Sequence, residues 1–254
     1  MVSLSDDLTP QEEIVEQEEE VEDEKDFIKH IDPKTLYVLK DIHDKIFSRN
    51  QNFLGIVVGK TGSGKTYSSL AMAEMLDSNF SVDRVIFDLD DLINFVTQEP
   101  PLPKGSVIVI DEFGVMMSNR DWQSEANKKM SKILQTIRFM NYYFFFTVPS
   151  LNFIDSSARR LLHYVFKTKK IIKRTKECVV RPYKIDLDAL DTKGEPYRKF
   201  MHIWVNGHHK KITDMKVKIP SVKLRHAYEK KKRDNLIALY KGMKKKEVKD
   251  ISND

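Results

Sequence analysis

The sequence predicts an α/β protein with a doubly wound, mostly parallel sheet, an acidic disordered N-terminal tail and a basic C-terminal extension of β-hairpins and a helix. Short apolar segments alternate with helical segments as far as residue 166, a pattern typical of parallel strands joined by helices. Acidic residues crowd the first 26 positions, and basic clusters fill the last third of the chain. We therefore divide the 254-residue chain into a tail (1–27), a core (28–166) and an extension (167–254).

The elements of the predicted core are strands and helices in turn. A helix begins at Asp32-Pro33, where apolar residues recur on one face. Further helices are expected after Lys65, around residues 92–96, over 125–140 and over 155–162. Irregular hairpins are expected over 163–205, and a basic amphipathic helix from Ser221 to about Val248. Four apolar segments predict buried strands: Phe53 to Val58, Arg84 to Asp88, Val107 to Ile110 and Tyr142 to Phe146.

Composition excludes several classes of protein. A single cysteine, Cys178, cannot form an internal disulfide, and no Cys/His pair has the spacing of a zinc site. The longest apolar stretches contain about seven residues, whereas about 20 are needed to span a bilayer. The acidic N-terminus has no basic and apolar leader segment. We therefore expect a protein without a membrane span, located in the cytoplasm, or in the host cytoplasm if its source is a virus.

Charge is distributed unevenly along the chain. Residues 1–26 contain twelve acidic residues and one lysine, so their net charge is −11. Because the whole chain carries +5, the remaining residues carry +16. Such an asymmetry is typical of interaction tails. Two interpretations stay open: a solubilising disordered tail, or a flap that competes with a polyanion for the basic body.

The strongest motif lies between the first predicted strand and the helix after it. Residues 59–66 read GKTGSGKT and fit the G-x-x-x-x-G-K-[ST] pattern (Walker A). Its glycines let successive backbone N–H groups converge on phosphate oxygens at a helix N-terminus, where Lys65 reaches the β and γ phosphates and the Thr66 hydroxyl binds Mg²⁺. The predicted ATP-binding residues are Gly59, Lys60, Thr61, Gly62, Ser63, Gly64, Lys65, Thr66 and Tyr67.

A second motif ends the third predicted strand. Asp111 and Glu112 follow the apolar run VIVI (Walker B). A carboxylate at this position can hold the Mg²⁺ shell, which makes Asp111 a metal-binding candidate beside Thr66. Glu112 can accept the proton of an attacking water as general base. An acidic pair of this kind favours hydrolysis over transfer to a small acceptor.

Further candidates lie after the fourth predicted strand. Thr147 stands at its carboxyl end, where ligands bind in such sheets, and could sense the γ phosphate or position water. Arg138, Arg159 and Arg160 are candidates for charge stabilisation, as fingers that enter the site of a neighbouring subunit. Together with Lys65 and Glu112, we take Thr147, Arg159 and Arg160 as the catalytic candidates.

Two basic clusters predict a phosphate-binding surface. Residues 167–176 contain six Lys or Arg and no acidic residue, and residues 223–249 contain eleven Lys or Arg interleaved with aromatic and aliphatic residues. Clusters of this kind bind a nucleic-acid backbone without regard to sequence. Solvated helix faces and attraction to a membrane surface are the alternatives.

The ordered set of GKTGSGKT, VIVIDE, a strand ending in Thr147 and a helix with paired arginines resembles the additional-strand P-loop ATPases, which have a RecA-like fold. Within them it is similar to the FtsK–HerA superfamily of DNA-pumping motors, which includes genome-packaging ATPases and zonula-occludens-toxin-like assembly ATPases. The resemblance covers about residues 53–166. It implies nucleotide and Mg²⁺ binding at Lys65 and Thr66, a metal shell on Asp111, Glu112 as base, Thr147 as sensor and Arg159 or Arg160 as finger. Val148 occupies the position where the family commonly has glutamine.

These observations predict an ATP-hydrolysing motor that translocates or packages DNA, of a virus or mobile element. It would act as a ring, hexameric by the resemblance, with a portal, relaxase or nuclease as a further partner. Two alternatives stay open. One is a P-loop kinase of a small acceptor, and the other is an assembly or switch ATPase that acts on protein partners through the basic helix.

Overall fold

The computed structural model describes residues 31–112, 132–135, 137–154, 156–190, 196–205 and 207–251. The predicted acidic tail, most of the predicted helix over 125–140, Asp155 and the predicted turn at 191–195 lie outside these residues. The described helices are α1 (Pro33–Phe47), α2 (Lys65–Leu76), α3 (Leu89–Thr97), α4 (Ser156–Arg159) and α5 (Val222–Ile251). The described strands are β1 (Phe53–Val58), β2 (Val85–Ile86), β3 (Val107–Ile110), β4 (Tyr143–Val148), β5 (Tyr164–Ile172), β6 (Glu177–Leu190), β7 (Pro196–Val205), β8 (His208–Ile212) and β9 (Met215–Lys218).

The described strands form one mixed sheet in the order β2-β3-β4-β1-β5-β6-β7-β8, with β9 paired to β6. Strands β2, β3, β4, β1 and β5 are parallel, and all pairings beyond β5 are antiparallel. The mixed α/β class with a largely parallel central sheet is thereby confirmed. Strand β4 lies between β1 and β3. The carboxyl ends of these three parallel strands therefore meet at one edge.

Apolar residues are buried on both faces of the parallel part of the sheet. On one face, Tyr143 and Phe145 of β4 pack with residues of α1, α2 and the start of α5. On the other face, Phe144 and Phe146 pack with residues of α3 and α4. A strand that is covered on both sides is apolar throughout, which is why these strands are short apolar runs in the sequence.

Some predicted boundaries differ from those of the structure. The predicted strand over 84–88 is limited to Val85–Ile86, because the Asp88 side chain accepts a hydrogen bond from Asp91 N at 2.7 Å and caps α3. The predicted helix over 155–162 is regular only over Ser156–Arg159. After Arg159 the hydrogen bonds follow the tighter 3₁₀ pattern, in which each N–H donates to the carbonyl three residues back. Leu161 N donates to Ala158 O, and Leu162 N donates to Arg159 O.

The basic extension forms hairpins, as expected, through the antiparallel pairs β5–β6, β6–β7 and β7–β8, but these hairpins are regular and continue the central sheet. Strand β5 pairs parallel with β1 at Tyr164–Lys167 and antiparallel with β6 along most of its length, so the predicted division between residues 166 and 167 falls inside a strand. From Lys167 to Lys169, exposed lysines alternate with the buried Thr168. This period of two indicates a strand, although the basic composition resembles that of a loop. Among the described helices, none is both long and apolar enough to cross a membrane.

We expect Phe145→Ala to lower the free energy of unfolding by about 3–5 kcal/mol, because it opens a cavity at the centre of the sheet. The Phe145 side chain is 0% exposed, and its ring lies 5.5 Å from that of Phe53. Phe139→Ala is the matched control, since that ring is 75% exposed, and it should change the same quantity by less than about 0.5 kcal/mol. Urea unfolding followed by circular dichroism measures both. Equal losses in the two variants would contradict the packing described here.

Candidate functional site

The glycine-rich loop curls between β1 and α2 as its sequence predicts. Gly62 and Gly64 have φ angles of 73° and 87°, in the left-handed region that glycine adopts without steric penalty. Gly64 is the N-cap of α2, so the N–H groups of the first helical turn face the loop. The Lys65 ammonium donates a hydrogen bond to Lys60 O at 3.1 Å. The loop therefore has the backbone shape of an anion site.

The phosphate loop is braced by residues of the basic extension. A Cβ on Gly59 would lie 2.0 Å from Thr168 Oγ1, so only glycine fits where the loop meets β5. The Thr168 hydroxyl is 2.7 Å from Ser63 Oγ and donates to Val58 O at 3.2 Å. The Cys178 thiol donates to Ser63 O at 3.3 Å, and burial raises its pKa. Sequence reasoning missed this role of Thr168 and Cys178, because no motif links them to the loop.

The carboxylate of Asp111 is the most enclosed group of the site. It is 0% exposed, at the end of β3. Its Oδ1 accepts hydrogen bonds from Thr66 Oγ1 at 2.8 Å and from Thr147 Oγ1 at 2.5 Å. Its Oδ2 accepts from the hydroxyl of Tyr228 at 2.6 Å. Three neutral donors thus satisfy a buried charge that would otherwise be strongly destabilising.

Glu112 has different surroundings from its neighbour. Its backbone is in the left-handed region, with φ 52°, and its N–H donates to Thr147 Oγ1 at 2.9 Å. Its side chain is 44% exposed, and its Oε1 accepts from the Lys232 ammonium at 2.7 Å. Thr147 is therefore hydrogen-bonded to both acidic residues, which is consistent with a sensor position but leaves its catalytic role a prediction.

Two residues of the site come from α5 and were not among the sequence candidates. Tyr228 contacts Asp111, and Lys232 contacts Glu112. Burial and the charge of Asp111 raise the pKa of the Tyr228 phenol well above its ordinary value, so it remains a hydrogen-bond donor. Within the basic run Lys230–Arg233, nothing in the sequence distinguishes Lys232 from its neighbours. In the sequence, Tyr228 is only one aromatic residue within a predicted basic helix, and nothing there indicates that it is buried.

These side chains surround a cavity of about 560 Å³, the size of a small-molecule site. Burial lowers the pKa of Lys65, an effect that Asp111 and Glu112 oppose. Tyr67 lines the cavity and donates to Glu229 Oε1 at 2.9 Å. The residues lining the cavity are Thr61, Gly62, Gly64, Lys65, Thr66, Tyr67, Glu112, Thr147, Pro149, Phe153, Ile171, Tyr228, Glu229 and Lys232.

The donor atoms fit a hard cation bound together with phosphates. Thr66 Oγ1 and the Asp111 carboxylate offer oxygen ligands 2.8 Å apart. Within the described part of the chain, no group of three His, Cys, Asp or Glu residues could hold a metal ion by itself. This matches Mg²⁺, which proteins bind through one or two side chains while substrate phosphates and water complete the shell.

The predicted arginine fingers lie away from this cavity. Arg159 belongs to α4, and its Nε donates to Ile154 O at 2.8 Å. Neither Arg159 nor the exposed Arg160 lines the cavity, because Ile154 and Ala158 pack this segment on the opposite face of the sheet from α5. The side chain of Arg138 lies outside the described residues. Within one chain, the structure does not bring either arginine to the phosphate loop.

Three predicted ATP-binding residues face a neighbouring cavity. Gly59, Lys60 and Ser63 line a space of about 680 Å³ beside the loop. Its other charged residues are Lys167, Lys169 and Arg198, and it contains no acidic residue. The phosphate loop therefore lines two cavities: Glu112 lines the first, whereas the charged residues that line the second are all basic.

Comparison with known proteins identifies the family. No curated protein matches the chain. The crystal structure of the N-terminal domain of zonular occludens toxin from Neisseria meningitidis is similar, with 17% identity and a TM-score of 0.38 over 55% of this chain and 87% of that one. The family model for the zonular occludens toxin (Zot) matches residues 76–243, which include Asp111, Glu112, Tyr228 and Lys232. Because this match covers well over half of the chain, the protein belongs to the Zot family, whose domain is related to the P-loop ATPases.

Proposed function

We propose that the protein is an Mg²⁺-dependent ATPase that translocates or packages DNA, of a virus or mobile element, as a ring of identical subunits. One observation carries the ATPase part of this proposal. The phosphate loop and Glu112 line one cavity, and the 2.8 Å hydrogen bond from Thr66 Oγ1 to Asp111 Oδ1 joins the loop to the buried carboxylate beside it. The proposals of a ring and of a DNA substrate rest on the resemblance to DNA-pumping motors and on the basic surface.

Each group of the cavity has a defined part in the proposed reaction. Loop N–H groups and Lys65 hold the β and γ phosphates. Thr66 and Asp111 would hold Mg²⁺, which when bound neutralises phosphate charge. Glu112 accepts a proton from water while the water oxygen bonds to the γ phosphorus, and the bond from that phosphorus to the ADP oxygen breaks. The products are ADP and inorganic phosphate.

The basic cavity supports a polyanionic substrate. Lys167 and Arg198 are exposed on β5 and β7, and they line this cavity together with Lys60 of the phosphate loop. A DNA backbone bound here would lie directly beside the loop. Movement of the loop during hydrolysis could then act on the bound strand.

A second candidate function is an assembly ATPase that acts on a protein partner. The part of α5 beyond Lys232 exposes three large apolar side chains: Ile237 at 45%, Leu239 at 46% and Tyr240 at 61%. Apolar side chains on a projecting helix favour a protein surface over a phosphate backbone. DNA would then have no effect on ATP turnover.

We expect Glu112→Gln to retain ATP binding and to lower the rate of hydrolysis by about 10²–10⁴-fold, because the amide cannot accept the proton of water. Lys65→Ala is the companion variant, and it should lose binding itself. Binding is measured with a fluorescent ATP analogue, and turnover as released phosphate.

The same pair of variants tests the reaction class. Lys40→Ala, an exposed lysine of α1 away from the cavity, should bind and hydrolyse ATP as the unaltered chain does. Full phosphate release by Glu112→Gln would contradict hydrolysis by this base, whereas undiminished transfer of the γ phosphate to a small acceptor in this variant would favour the kinase alternative.

We expect double-stranded DNA to raise the rate of ATP hydrolysis by the unaltered chain, because the proposed DNA surface adjoins the phosphate loop. Phosphate release is measured with and without DNA over a range of salt concentrations. Activity that ignores DNA at every salt concentration would contradict the motor and favour the assembly ATPase.

We expect Lys167→Ala/Arg198→Ala to weaken DNA binding and to reduce the slope of log K against log salt by about 2, since two phosphate contacts are lost. Lys40→Ala/Lys104→Ala removes the same charge from exposed residues outside the basic cavity and is the matched control. Fluorescence anisotropy with a short duplex measures both slopes. An equal change in the two variants would show that only net charge matters.

A further inference from the structure

Helix α5 is fixed over the acidic pair by contacts along its first three turns. Ser221 N, just before the helix, donates to Glu74 Oε2 at 2.9 Å. Glu229 accepts from Tyr67, and the Lys231 ammonium donates to Val82 O at 3.0 Å and to Asp83 O at 3.1 Å. The Tyr228 ring, 2% exposed, lies 6.3 Å from that of Phe87. These contacts hold the start of α5 against the core.

The helical period places two residues of α5 on the two acidic side chains. Tyr228 and Lys232 are four residues apart, so they lie on the same face of the helix. Tyr228 reaches Asp111, and Lys232 reaches Glu112. Because Tyr228 is buried and hydrogen-bonded to Asp111, the fold also places Lys232 next to Glu112. The position of a lysine on an open surface is not fixed in this way.

The Lys232–Glu112 contact is a charge-assisted hydrogen bond. The ammonium lies 2.7 Å from Glu112 Oε1 and 3.9 Å from Asp111 Oδ2. Burial lowers the pKa of Lys232, but the hydrogen bond to Glu112 and the charges of both carboxylates outweigh it and raise that pKa above the ordinary value. Lys232 is therefore a full positive charge at neutral pH.

A cation in this place opposes the chemistry proposed for the site. Its hydrogen bond occupies Glu112 Oε1, one of the two oxygens with which a general base accepts a proton from water. Lys232 thus competes with the attacking water for Glu112.

We propose that Lys232 is an autoinhibitory latch, which holds Glu112 in an ion pair and restrains ATP hydrolysis until α5 or the lysine side chain moves away. This inference rests on the proposed ATPase function. It assigns to the C-terminal helix a control of turnover that is separate from nucleotide binding. The helix continues 19 residues beyond Lys232, to Ile251, so a partner bound to that part is directly connected to the latch.

The test compares Lys232→Met with Lys230→Met in the full chain. Lys230 is exposed on the same helix and carries the same charge. We expect Lys232→Met to raise basal ATP turnover about fivefold, a modest factor because solvent screens the half-exposed pair, and to leave the affinity for Mg·ATP unchanged or tighter. Lys230→Met should match the unaltered chain. Lys232→Gln, which also removes the charge, should repeat the result, and thermal unfolding verifies that each variant is folded.

Each of three other results would contradict the proposed inhibition by Lys232. Slower turnover with unchanged affinity would make Lys232 a group that the reaction needs. Weaker Mg·ATP binding would make it a phosphate ligand, and unchanged turnover would leave the ion pair without influence. Absence of ATP binding in the unaltered chain would instead contradict the proposed function itself, and the latch with it.

Discussion

The structure depends on the hydrogen bonds to the buried carboxylate of Asp111. A carboxylate that is 0% exposed is tolerated only where donors surround it, and here each donor belongs to a different element. Thr66 lies in the first turn of α2, Thr147 lies in β4, and Tyr228 lies in α5. A shift of any of these elements would leave the charge unsatisfied. Their mutual arrangement, and with it the shape of the cavity, is therefore tied to this one side chain.

The basic C-terminal part of the chain belongs to the site as well as to the surface. Thr168 of β5 and Cys178 of β6 contact Ser63 in the phosphate loop, and α5 supplies both Tyr228 and Lys232. The β5 strand makes this possible, because it pairs with β1 and β6 at once and carries the sheet from the core into the extension. Nucleotide chemistry and the basic surface thus share one continuous framework.

The sequence allowed prediction of the parts of the site that are local in the chain. The phosphate loop lies within eight consecutive residues, and the acidic pair directly follows a buried apolar strand, so each carries its own pattern. Tyr228 and Lys232 carry none, because they meet their partners across 117 and 120 residues of chain. The hairpins of the extension were predicted, but not their continuity with the central sheet, because the basic composition of residues 167–176 resembles that of a loop. Arg159 stays a prediction: its place in the order of motifs suggested a finger for a neighbouring subunit, and within one chain α4 packs on the face of the sheet opposite α5.

The surroundings of the two neighbouring acidic side chains, Asp111 and Glu112, differ in how easily they can change. Asp111 is sealed by neutral hydroxyl groups at short distances, so any change in it would disturb three elements at once. Glu112 turns outward with φ 52°, is 44% exposed, and is held at its carboxylate by an ammonium that can leave for solvent at little cost. In the proposed mechanism, a constant metal-binding group beside an adjustable base would let turnover change while nucleotide affinity does not. The proposed control of turnover therefore depends on Glu112 and on the helix that reaches it.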